Sequence, residues 1–189
     1  MNQPTTVGDV LALYGRKGEE NYGEDVTQLE HALQCAALAA RSGASDALIV
    51  AALLHDIGHL VADVQGDLRF DLATDDDVHE AIGARVLSPI FGPAVAQPVA
   101  LHVTAKRWRC TVEPTYFESL SATSQATFRA QGGKLDAKAQ RRFEAHPGRE
   151  AALLLRSWDD VGKVPDWAVP GLDSYRELLE GLAAQHASA

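Results

Sequence analysis

The chain has 189 residues, of which 46% are apolar and 23% charged, an ordinary globular composition that excludes a disordered or fibrous protein. A formal net charge of −9 repels phosphate backbones, so nucleic acid is not an expected partner. The two cysteines, Cys35 and Cys110, are too few for a disulfide framework, which points to reduced thiols and a cytoplasmic location.

Strand signals are scarce, and 31 alanines with apolar residues at helical spacing predict an all-α fold. Met1-Asn2-Gln3-Pro4 carries no basic and apolar leader pattern, so no secretory signal is expected. The pattern predicts a first helix from Val7 to Leu13, ended near Gly15 and Gly18, and then a polar loop from Glu19 to Asp25. Thr27 and Glu30 have capping-box spacing, so a helix should start there and end at Ser42-Gly43. Ser45 or Asp46 should cap the next helix. Its apolar run from Ala47 to Leu54 has no polar face and belongs at the centre of the fold. The run is also far too short to cross a bilayer, so no membrane partner is expected. Gly58 is expected to close this helix, and residues 61–74 read as a polar loop.

Asp75, Asp76 and Asp77 suit the start of a helix that carries Val78, Ile82 and Val86 and stops before Pro89. Gly92-Pro93 opens a stretch that Pro98 kinks or restarts and that runs to about Trp108. Further helices are predicted over Ser119–Ala130, Asp136–Ala145 and Gly148–Val161. Pro165 and Pro170 mark a turn before a last amphipathic helix with Leu172, Tyr175, Leu179 and Leu182.

The chemistry concentrates at His55-Asp56, at the end of the buried helix. An ionised carboxylate buried there needs partners. A helix-capping Asp56 and a packed, hydrogen-bonded His55 are the plainer alternatives. The chain has seven histidines, and His31, His79 and His102 lie on three other predicted helices, with Asp159 on a fourth. His146 and His186 have no evident place beyond surface or packing roles. His31, His55, Asp56, His79, His102 and Asp159 exceed what one catalytic zinc uses, which is three protein ligands and a water. Two metals bridged by Asp56 would use all six.

His31, then His55-Asp56, then Asp159, each in its helical context, resembles the HD-domain superfamily. A narrower resemblance rests on Glu24-x-x-Thr27-x-x-Glu30-His31-Ala32-Leu33-Gln34, Leu54-His55-Asp56-Ile57-Gly58-His59, His102-Val103-x-Ala105-Lys106-Arg107 and Trp158-Asp159-Asp160. These segments are similar to the mixed-valence diiron HD-domain oxygenases of phosphonate breakdown. The resemblance implies a helical bundle around a dinuclear centre of two iron ions, Fe(II) beside Fe(III), with O2 as co-substrate. It implies cleavage of the carbon–phosphorus bond of a 1-hydroxyalkylphosphonate to phosphate and a carboxylic acid. It also implies that His59, Lys106, Ser124 and Arg156 hold the phosphonate, and that Tyr22 and Glu24 cover the resting site. Tyr22 is two residues before Glu24, one fewer than the family spacing. The expected organisation is one domain over 1–189: an N-terminal helix and covering loop over 1–26, a metal-binding core over 27–162 and a C-terminal helix over 171–186.

Helical geometry agrees with part of this. His102 and Lys106, four apart, share a helix face, as do Arg156 and Asp159, three apart. An exposed lysine and a structural Arg156–Asp160 ion pair are the plainer readings. For the group on C2 of the substrate, an ammonium or trimethylammonium is preferred over no substituent. Glu24 is the candidate anion, and Tyr22, Trp108, Tyr116 and Phe117 are candidate aromatic faces. The expected protein is a monomer acting on a small phosphonate. The rival is a metal-dependent HD phosphohydrolase acting on a nucleotide or phosphate ester.

Overall fold

The computed structural model describes residues 3–21, 24–64 and 78–189. Tyr22, Asp75, Asp76, Asp77 and the expected loop over 65–74 lie outside the described residues.

Among the described residues the secondary structure is helical throughout. Helix α1 (Val7–Lys17) starts at a capping box in which the Asp9 amide donates to Thr6 Oγ1 and the Thr6 amide donates to Asp9 Oδ2. It continues past the expected Leu13 to Gly18, and the buried Tyr14 hydroxyl ties it to the carbonyl of Leu53 at 3.0 Å. Helix α2 (Gln28–Arg41) opens with the expected Thr27/Glu30 box, which satisfies two amide donors reciprocally. Helix α3 (Asp46–Leu54) begins after Ser45.

Helix α3 is the centre of the molecule. Its Val50, Ala51, Ala52, Leu53 and Leu54 are all fully buried, and α2, α6 (Pro93–Val112), α10 (Arg149–Val161) and α11 (Arg176–Ala187) pack around it. Helix α4 (Ile57–Val64) packs on α5 (His79–Phe91), which in turn lies along α6. The short α7 (Tyr116–Ser119), α8 (Ala122–Ala130) and α9 (Ala137–Glu144) follow α6.

Several boundaries depart from the sequence reading. Gly58 does not close the central helix. The break falls at His55-Asp56, and Gly58 sits inside α4, whose last residues 61–64 were expected as loop. Buried Ile57, Leu60 and Val61 drive that extra helix. Pro89 lies within α5, and Pro98 within an unbroken α6. In each, buried residues on both sides of the proline (Leu87 and Ile90, Val95 and Val99) outweigh the lost backbone bond. The stretch over Ser119–Ala130 is two helices, because Ser121 accepts from the Ser124 amide and starts α8 afresh. The first turn of the last helix is a 3-10 turn over Leu172–Tyr175.

Candidate metal centre

The six expected ligands converge from five helices or their ends. His31 stands in the first turn of α2, His55 caps α3, Asp56 lies between α3 and α4, His79 opens α5, His102 is midway along α6 and Asp159 is near the end of α10. Their donor atoms form two groups that share one carboxylate. In the first, His31 Nε2 lies 3.2 Å from His55 Nε2 and 3.7 Å from Asp56 Oδ2. Asp159 Oδ1 completes it at 3.4 Å from His31 Nε2 and 3.8 Å from His55 Nε2. In the second, His79 Nε2 and His102 Nε2 are 3.1 Å apart, with Asp56 Oδ1 at 3.4 and 3.6 Å from them.

Ligands about 2.1 Å from one ion stand roughly 3.0–3.4 Å from each other in octahedral or tetrahedral arrangements. The shorter separations match this and the longer ones, 3.6–3.8 Å, lie just beyond it, so the two groups could each hold an ion, with Asp56 presenting one oxygen to each group. Among the described residues the second group is a two-histidine, one-carboxylate set, a donor pattern suited to non-haem iron in oxygenases.

The backbone fixes which imidazole nitrogen faces inward. His31 Nδ1 lies 2.7 Å from the Gly162 carbonyl, His55 Nδ1 2.9 Å from that of Ala52, and His102 Nδ1 2.7 Å from that of Val99. Each carbonyl takes the Nδ1 proton and leaves the Nε2 lone pair for a metal. Gly162 allows this approach, since a Cβ there would lie 2.7 Å from Cys35 Sγ.

Electrostatics prepares the same donors. Burial alone would raise the Asp56 carboxyl, but His55, His59 and His79 outweigh it and hold the group well below the usual carboxylate range. Burial also opposes ionisation of Asp159. Arg156 and the hydrogen bonds from His31 and His55 overcome it and push that carboxyl down. Burial draws the His55 imidazolium down, but Asp56 and Asp159 push it up to about 9. Without a metal, His55 thus carries the balancing charge, a role a cation would take over. Burial, then His79 and His55, keep His102 neutral. Cys35 lies 3.7 Å from His31 Nδ1. Burial and then Asp159 push its thiol far up, so it stays protonated.

A cavity of about 80 Å³ opens above the donors. His59, Lys106, Ser124 and Arg156, the expected phosphonate contacts, all line it, as does Glu24. The His59 ring stacks on His79 with centroids 3.9 Å apart. Lys106 Nζ donates to Thr127 Oγ1 at 3.0 Å, and burial followed by Arg156 pushes its ammonium down to about 7.

Arg156 makes the ion pair of its plainer reading and also lines the cavity. Its Nε donates to Tyr116 Oη at 3.0 Å, Nη1 to Asp159 Oδ2 at 2.6 Å, and Nη2 to Asp160 Oδ1. Each terminal nitrogen keeps a second N–H.

Two cavity residues were missed in the sequence. Lys163 follows Asp159 by four residues, a helical-face spacing that could have flagged it. Gln131 is buried, with no hydrogen-bond partner for Oε1 among the described residues, and carried no sequence signal. Of the expected aromatic faces, Trp108, Tyr116 and Phe117 do not line the cavity among the described residues, and Tyr22 lies outside them. Tyr116 donates to Asp160 Oδ2 at 2.7 Å, Trp108 packs on Phe143, and Phe117 packs on Phe128.

This arrangement is that of the HD domain, whose family model matches residues 29–153, and the chain belongs to that family. Within the family it groups with the oxygenases of phosphonate breakdown. It is 47% identical over 174 residues to a hydroxymethylphosphonate dioxygenase of Gimesia maris, a match covering 92% of this chain and 86% of the relative. It is 35% identical over 190 residues to the [1-hydroxy-2-(trimethylamino)ethyl]phosphonate dioxygenase (glycine-betaine-forming) of Leisingera caerulea, covering 100% and 96%.

Proposed function

We propose that this chain is an O2-dependent enzyme that cleaves the carbon–phosphorus bond of a 1-hydroxyalkylphosphonate, releasing phosphate and a carboxylic acid. One observation carries the reading. The histidine and carboxylate donors His31, Asp56, His79, His102 and Asp159 line the same cavity as Lys106 and Ser124, which suit a phosphonate. The two phosphonate dioxygenases, similar over nearly the whole chain, support the same reading.

Two iron ions would be held by these donors, one by His31, His55, Asp56 and Asp159 and the other by His79, His102 and Asp56. When bound, such a pair supplies the O2 and electron-transfer chemistry that side chains lack. The chain's own residues do the rest. Lys106, Ser124 and the spare N–H groups of Arg156 orient the phosphonate by charge-assisted hydrogen bonds. His59, stacked on His79, places its ring beside the second donor group and can donate to a phosphonate oxygen. The cavity walls would position C1 over the two donor groups.

The electron balance requires an oxidant. Converting C1 to a carboxylate removes four electrons, which one O2 accepts, and the two oxygen atoms gained by the products are those of O2.

The wall favours a small group on C2. Among the described residues no tryptophan, tyrosine or phenylalanine lines the cavity. The unpartnered Gln131 Oε1 is an acceptor for a hydroxyl or primary ammonium. Hydroxymethylphosphonate and the 2-amino compound are therefore the substrates to test first, with the enzyme acting as a monomer. Turnover of these two, compared with the trimethylated compound and with phosphate monoesters, tests the reading. Phosphate release from the first pair is expected, and ester hydrolysis without phosphonate turnover would favour the phosphohydrolase instead.

A further inference from the structure

The cavity holds three cationic side chains, and they differ in what already occupies them. Arg156 is committed to Asp159, Asp160 and Tyr116. Lys106 donates to the Thr127 hydroxyl. Lys163, just beyond the end of α10, places Nζ 2.8 Å from Glu24 Oε1 and 3.0 Å from Ser124 Oγ. Glu24 Oε1 also accepts from Ser121 Oγ at 2.7 Å. One carboxylate from the segment before α2 thus joins the start of α8 to the end of α10, across a cavity that Glu24, Ser124 and Lys163 all line. The pair is largely shielded, with side-chain exposures of 16% for Lys163 and 22% for Glu24. Charges so placed interact more strongly than exposed ones.

An ammonium that already holds a carboxylate on one side and a serine hydroxyl, Ser124 Oγ, on the other is a ready anion site. Replacing that carboxylate by a phosphonate keeps the ammonium paired and leaves Ser124 Oγ free to donate. We propose that Lys163 is a further phosphonate-binding residue, held in the substrate-free chain by Glu24 acting as an internal anion that the substrate displaces. This rests on the phosphonate reading above, and its distinctive consequence is a pair of opposite signs. Removing the ammonium weakens anion binding, whereas removing the internal competitor strengthens it. A merely structural ion pair makes no such distinction between its two members.

The test is calorimetric titration of hydroxymethylphosphonate, without O2, into iron-loaded wild type, Lys163→Met and Glu24→Gln, with melting curves to verify folding. Lys163→Met should bind roughly 10- to 100-fold more weakly, the loss of one charge-assisted contact. Glu24→Gln should bind several-fold more tightly, and this arm stands even if Lys163→Met does not fold. Binding by wild type with an unchanged Lys163→Met, or a weakened Glu24→Gln, overturns the role of Lys163 and leaves the phosphonate reading intact. No binding by wild type overturns both.

Discussion

A Cβ on Gly58 would lie 1.9 Å from the carbonyl oxygen of His79. The residue two places after Asp56 therefore sets how closely α4 approaches the start of α5, and so where one ligand of the second donor group stands. Gly58→Ala must push the two backbones apart, an overpacking that costs about 1–3 kcal/mol. The variant should fold with a lowered melting temperature and hold fewer than two irons per chain, with the loss falling on the His79/His102 position. Iron analysis with Mössbauer spectroscopy checks this, and two irons in Gly58→Ala would mean that the contact relaxes without moving His79.

The shared carboxylate makes a second pair of outcomes unequal. His79→Ala leaves all four donors of the first group and should keep one iron. Asp56→Asn removes the charge that both groups use and should lose both, or hold them far more weakly. Metal content after dialysis distinguishes the two, and equal content in both variants would contradict a bridging Asp56.

Lys106 predicts a pH dependence. Its ammonium titrates near 7, whereas an unfolded lysine titrates near about 10.4. Between those values the unfolded chain binds the extra proton, so this residue makes stability rise with pH across that window. Phosphonate binding runs the other way, because the dianion favours the protonated ammonium. Affinity should fall as pH rises above about 7, and Lys106→Met should bind about 1.5–3 kcal/mol more weakly at neutral pH and lose that fall. The substrate's own ionisation is common to both proteins, so the difference between their pH profiles isolates Lys106. Identical profiles would remove Lys106 from the binding site.

Most of the centre was legible in the sequence because metal ligation constrains residue type and order. Histidines and carboxylates on successive helices, with His55-Asp56 ending an all-apolar run, leave few other uses. The capping box at Thr27 was legible for a similar reason, since it depends on four adjacent residues. Packing decided what was not legible. Ile57, Leu60 and Val61 find buried surroundings that extend a helix through Gly58, and Pro89 and Pro98 are overruled by the apolar residues on either side of them. Lys163 meets Glu24, a contact remote in sequence, and periodicity does not reveal such pairs.

The central claim is oxidative cleavage, and the direct measurement of it is phosphate release from hydroxymethylphosphonate under air and under argon, with 18O2 as label. The account predicts release only in air, one O2 consumed per phosphate, and 18O in the products. Phosphate release that proceeds equally under argon, with its new oxygen taken from water, would contradict it.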